Sequence, residues 1–200
     1  MSFSGDQARA FLAPLAGRTT TFLLESRQDN IDFAKVLVGL LDAQGSACAV
    51  FDLDALYSSN SDVIFGSRGS QVTARSTIRV PEPGASLEEE FSALFEAEQG
   101  VIVIDSFNSL YHLISGDDGS SRSRKLAFAT AGLSYFAGAN GRVVIVSMYR
   151  RENPSRGGTG KSISSLTDGT ASVGRTAGGL SFRNERGVGW PQGRFSIRSP

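Results

Sequence analysis

Val101-Ile102-Val103-Ile104 is a run of four β-branched residues that ends in Asp105 and Ser106. A run so short and so apolar predicts a strand buried on both faces, as in a parallel sheet covered by helices. A carboxylate at the C-terminal end of such a strand stands where open α/β sheets bind ligands. Its charge suits it to hold the magnesium of a bound triphosphate. Asp52 and Asp54 end a second apolar run, Ala47–Leu53, and are expected at the same sheet edge. Asp54 is placed either to orient a water for hydrolysis or to cap the next turn. His112, the only histidine, lies in Leu110-Tyr111-His112-Leu113 and is expected to be packed rather than catalytic. No Ser/His/Asp triad and no Cys/His metal cluster can be assembled from these residue types.

Triphosphate chemistry also needs a phosphate loop, Gly-x-x-x-x-Gly-Lys-Ser/Thr, between the first strand and the first core helix. Its backbone N–H groups and lysine hold the phosphates, and its hydroxyl meets the metal. That slot here reads Glu25-Ser26-Arg27-Gln28-Asp29-Asn30-Ile31-Asp32. It contains no glycine and no lysine, and Arg27 is its only cation. Gly157-Gly158-Thr159-Gly160-Lys161-Ser162 resembles the end of a phosphate loop, but Ser155 stands where the first glycine belongs. The segment also follows its strand at a distance and precedes only a short Ser/Thr/Gly-rich stretch. A flexible basic loop over 149–165 is the better reading, because a phosphate loop needs a sturdy helix whose N-terminus faces the anion.

The elements that would position these groups follow in order. A short helix over Gln7–Leu12 precedes a first strand, Thr19–Leu24. A helix over Ile31–Ala43 carries Phe33, Val36, Leu37, Leu40 and Leu41 at helical spacing, with Asp29 or Asn30 as its cap. The strand Ala47–Leu53 follows. Residues 58–76 read as irregular, and Thr77–Val80 as a short strand. Ser86 and Glu89 form a capping box for a helix bearing Leu87, Phe91, Leu94 and Phe95. After the strand at 101–105, a loop Ser115–Ser123 leads to a helix from about Arg124 to Ala137. Asn140-Gly141 then turns the chain into Val143–Met148. Short strands at Ser172–Thr176, Gly179–Arg183 and Arg194–Ile197 end the chain. This alternation predicts one α/β domain over 1–200, a mostly parallel sheet flanked by helices with antiparallel C-terminal strands.

Twenty Lys/Arg balance twenty Asp/Glu, yet from Arg142 onward ten cations meet only three carboxylates. The last 59 residues therefore carry +7 and the first 141 carry −7. Such a split predicts a basic surface for nucleic acid, or contact between the acidic face of one copy and the basic face of another. The single cysteine, Cys48, can form no disulfide within the chain. With no apolar run long enough for a bilayer and no secretory signal, a cytoplasmic location and no membrane partner are expected.

Taken together, the strand order and strand endings resemble the core ATPase domain of the RecA/RadA recombinase family over about residues 18–198. Cys48-Ala49-Val50-Phe51-Asp52-Leu53-Asp54 is similar to the family's second core strand, with Asp54 where the family has its catalytic glutamate. Val101-Ile102-Val103-Ile104-Asp105-Ser106 is similar to the Walker B strand. Val143-Val144-Ile145-Val146-Ser147-Met148 is similar to the strand that usually ends in a nucleotide-sensing Asn-Gln pair. The resemblance implies a degenerate paralogue without the Walker A loop, in which Asp54 and Asp105 are vestigial. No cofactor is expected beyond weak binding of ATP and magnesium.

The resemblance further places two loops that contact single-stranded DNA. One is Ser115–Lys125, with Arg122, Arg124 and Lys125; the other is Tyr149–Ser165, with Arg150, Arg151, Arg156 and Lys161. Only Tyr149 interleaves an aromatic ring, so weak base stacking and low sequence preference are expected. The leading expectation is a non-hydrolysing RecA-fold protein in DNA recombination or repair. It would bind single-stranded DNA or RNA, a recombinase paralogue, or both, as a homo-oligomer or beside that paralogue. Two alternatives stand. One is an NTPase with a phosphate site built from Arg27 or the 157–162 segment. The other is a structural subunit of a RecA-fold ring, such as an Elongator-like tRNA-binding assembly.

Overall fold

The computed structural model describes residues 3–66, 74–82, 86–113, 119–150 and 166–198. Among the described residues, eight strands form one sheet: β1 (Arg18–Leu24), β2 (Cys48–Asp52), β3 (Thr77–Arg79), β4 (Val101–Asp105), β5 (Val143–Tyr149), β6 (Gly169–Thr176), β7 (Gly179–Arg186) and β8 (Arg194–Arg198). Their order across the sheet is β3-β2-β4-β5-β1-β6-β7-β8. The first six in that order are parallel neighbours, and β6, β7 and β8 continue as an antiparallel meander. The expected architecture is therefore present.

Among the described residues, helices with defined bounds are α1 (Gly5–Leu12), α2 (Arg27–Ala43), α3 (Leu56–Ser59), α4 (Ser61–Ile64), α5 (Leu87–Phe95), α6 (Phe107–Leu113) and α7 (Gly119–Asn140). Alternation along the central strands assigns them to two faces. Val101 and Val103 of β4, with Val143 and Ile145 of β5, join the apolar cluster that holds α1 and α2. Ile102 and Ile104, with Val144 and Val146, join the cluster that holds α5, α6 and α7. Runs with no polar residue are what a sheet covered on both sides requires. The strand over 101–105 was legible for that reason.

Beneath the meander, Phe11, Phe22, Phe33, Phe182 and Trp190 form one aromatic cluster, with Phe11–Phe182 centroids 5.0 Å apart and Phe22–Phe33 centroids 4.8 Å apart. The Trp190 indole N–H donates to the Phe11 carbonyl at 3.2 Å, so the buried ring leaves no donor unpaired. Cys48 lies in β2 with its thiol pushed up to about 11 by burial, which makes it an unreactive packing group.

Three helix starts differ from expectation, α1 by two residues, since it begins at Gly5 rather than Gln7, and two others by a turn or more. Helix α2 begins at Arg27 rather than Ile31, and its cap is Ser26, not Asp29 or Asn30. Its first turn, largely polar, shows no apolar periodicity to reveal a helix. Helix α7 begins at Gly119, so Arg122, Arg124 and Lys125 stand on a helix instead of in a loop. Asp117 and Asp118 precede it in the sequence, residue types favoured ahead of a helix. Within 58–76, α4 and the C-terminal end of α3 replace part of the expected irregular stretch. Tyr149 ends β5 instead of opening the basic loop. Residues 151–165, with Arg151, Arg156, Lys161 and the 157–162 segment, lie outside the described residues.

Candidate functional site

The carboxyl ends of β1, β2, β4 and β5 meet the start of α2, and the groups singled out above converge there. Only Glu25 and Ser26 separate β1 from α2. The Ser26 hydroxyl accepts from the Asp29 N–H at 3.1 Å and donates to the Asp29 carboxylate at 2.6 Å. Arg175 of β6 then bridges Asp29 at 2.8 Å and Asp32 at 2.9 Å. The positive end of the α2 dipole thus faces its own cap and carboxylate. Ser26→Ala should lower stability by about 1 kcal/mol in urea denaturation, the usual cost of a lost cap.

One turn into α2, the fully buried Asn30 reaches back to the sheet. Its Nδ2 donates to Asp105 Oδ1 at 2.6 Å and to the Tyr149 hydroxyl at 2.9 Å. The Ser147 hydroxyl donates to the same Asp105 oxygen. Asp105 Oδ2, Asn30 Oδ1 and Ser106 Oγ are buried without a hydrogen-bond partner among the described residues. Burial pushes the Asp105 carboxyl up to about 6. The bonds from Ser147 and Asn30 oppose that shift, and the charges of Asp54 and Asp52 add to it. Burial likewise pushes the Tyr149 hydroxyl up to about 12. The strand-end acid is therefore part of a closed polar cluster, joined to α2 by an amide. Sequence reasoning did not assign Asn30 and Ser147 to it. The available signal was each residue's polarity within an otherwise buried face.

The neighbouring acids have separate duties. Asp52 caps α3: its Oδ1 accepts from the N–H groups of Leu56 at 2.8 Å and Tyr57 at 3.2 Å, and its Oδ2 from Ser58 at 2.7 Å. Asp54 is half-buried and accepts from the Ser109 hydroxyl of α6. Asn108, also on α6, accepts from the Tyr149 N–H at 2.8 Å and so ties that helix to the end of β5. His112 is exposed, its ring edge-on to Tyr111, which corrects the packed placement expected for it. Among the described residues, no three His, Cys, Asp or Glu side chains are grouped to hold a metal ion.

The basic residues leave from this same edge. Arg150 follows β5, is exposed, and pairs with Glu185 at 3.3 Å. Arg183 shares that carboxylate at 2.8 Å, and its hydrogen bond is the main cause that lowers the Glu185 carboxyl below its ordinary value. Arg124 and Lys125 are exposed near the start of α7. The charge split between the two parts of the chain is partly satisfied internally, since Arg175 meets Asp29 and Asp32.

A parallel core in the order β3-β2-β4-β5-β1, with an acid ending β4 two strands from β1 and a meander beyond β6, defines a RecA-like α/β fold. The crystal structure of the RadB recombinase is similar to this chain, with a TM-score of 0.65 over 95% of this chain and 93% of that one, at 13% sequence identity. The sequence matches no family model and no curated protein. No helix among the described residues is long and apolar enough to cross a membrane.

Proposed function

We propose that this chain is a RecA-fold protein that binds single-stranded nucleic acid without hydrolysing nucleotide, in DNA recombination or repair. It works as a homo-oligomer or beside a recombinase paralogue. The observation that carries this reading is the two-residue connection between β1 and α2. A phosphate loop needs several residues whose N–H groups curve around an anion. Two residues leave no such arch. Asp29 and Asp32 would meet the polyanion with like charge.

Asp105, whose counterpart in a working site holds magnesium, is engaged with Asn30 and Ser147 instead. The cations at 122–125 and 150–161 supply what phosphate backbones require. Among the described residues, strand β8 pairs only with β7, leaving an edge on which a second chain can add. The recombination context rests on the shared fold with the RadB recombinase.

Calorimetric titration with ATP and magnesium should show affinity no tighter than millimolar, and phosphate release should stay at background. Each tenfold in affinity is about 1.4 kcal/mol, and the loss of a charged phosphate contact removes one or two such factors. Micromolar binding that Asp105→Ala abolishes would overturn the reading and favour an NTPase.

A further inference from the structure

Helix α7 turns two large aromatic side chains outward. Phe128 is 82% exposed and Tyr135 is 79% exposed, more than any other large apolar side chain among the described residues. They stand seven residues apart, two turns of helix, so they lie on one stripe about 10 Å apart along the axis. That stripe is opposite the side that carries Leu126, Leu133 and Ala137 into the core. Exposed Ala131 and half-exposed Gly132 lie between the rings and leave their flanks unobstructed. Arg124, one turn before Phe128, and its neighbour Lys125 are also exposed. The helix sequence contains Arg122, Arg124 and Lys125 and no carboxylate.

We infer that the outer face of α7 is a stacking platform for a single strand, with bases on Phe128 and Tyr135 and phosphates beside Arg124 and Lys125. Two observations choose this occupant. The charge on the helix is of one sign, and it complements a phosphate backbone. The area is also telling: two such rings present roughly 250–400 Å², whereas a stable protein dimer needs about 800 Å² from each partner. A patch of that size is too small to hold a second copy, yet each ring can take one base. Stacking of this kind tolerates any sequence, since every base offers a flat face. The inference rests on the nucleic-acid reading above and adds two rings outside the two basic segments, of which Tyr149 is the aromatic residue. The Tyr149 hydroxyl is engaged with Asn30.

The test is fluorescence anisotropy with a labelled single strand and with a strand of equal length lacking bases. Phe128→Ala/Tyr135→Ala should weaken binding to the first strand at least tenfold, because stacking typically contributes about five- to a hundredfold per base. Affinity for the baseless strand and the salt dependence should not change. Tyr135→Phe, which keeps the ring, should bind as wild type does. Both aromatic positions are exposed, so the fold survives the changes.

If the double variant binds like wild type while charge reversal in the basic segments abolishes binding, the platform is refuted and the nucleic-acid reading stands. Failure of wild type to bind any strand at about 50 mM salt refutes both. Gel filtration gives the remaining outcome. If the double variant breaks up an assembly that wild type forms, with strand affinity unchanged, the face is a protein interface and the inference is wrong.

Discussion

Reversing Arg150, Arg151 and Arg156 to glutamate should lower affinity for a single strand by about a hundredfold at 0.1 M salt. The size of the effect follows from counterion release: each neutralised phosphate contributes about 0.7 to the slope of log affinity against log salt. Leaving three phosphates without their cations takes about two from that slope, hence about two decades at 0.1 M, and the new carboxylates add repulsion. Lys161→Ala should cost only about fivefold by the same arithmetic. Arg150 is exposed and its pair with Glu185 is solvated, so breaking it costs less than about 1 kcal/mol of stability. An anisotropy titration across several salt concentrations, with a thermal melt of each variant, checks both parts. An unchanged slope in the triple variant would mean that these cations are solvated surface, and a purely structural role would then lead.

The second large effect concerns Asp105. Its carboxyl is held at about 6 in the folded chain, against about 3.9 in an unfolded one. The folded state therefore keeps its proton where the unfolded state releases it. The contribution of this group to stability is full below about pH 4, falls as pH rises towards 6, and stays lost above that. With about 1.4 kcal/mol per unit, the loss is on the order of 2–3 kcal/mol. Asp105→Asn keeps an oxygen to accept from Asn30 and Ser147 and removes the buried charge. It should raise stability at pH 7 by about 2–3 kcal/mol and flatten the profile between pH 4 and 6. Urea denaturation at several pH values measures it. A stability of wild type that does not fall between pH 4 and 6 would show that burial of this charge is not costly in the folded chain.

Much of the fold was legible because the middle residues of β4 and β5 carry nothing polar. Val101–Ile104 and Val143–Val146 are apolar on both faces, a pattern that only a doubly covered strand requires. The alternation of such runs with helical spacing then implied the mixed sheet. What escaped was decided by the third dimension. Asn30 lies 75 residues from Asp105 in sequence, and Ser147 lies 42 residues from it. No local pattern joins them, and a single polar residue near a helix start reads as a cap. For Asp54, an acid after a strand suits a water-orienting role and a cap equally; in the structure Asp52 takes the three N–H donors of the next turn, and Asp54 accepts from the Ser109 hydroxyl. Helix α7 carries apolar residues on every side, so periodicity could not tell that Leu126 and Leu133 face inward while Phe128 and Tyr135 face out.

The central claim is that a RecA fold without a phosphate loop here binds single strands independently of nucleotide. The most direct measurement is anisotropy of a labelled single strand against the purified chain, from about 50 to 200 mM salt, with and without ATP and magnesium. The account predicts saturable binding that weakens steeply with salt and does not change when nucleotide is added. Absence of binding at the lowest salt, or binding that appears only with ATP, would contradict it.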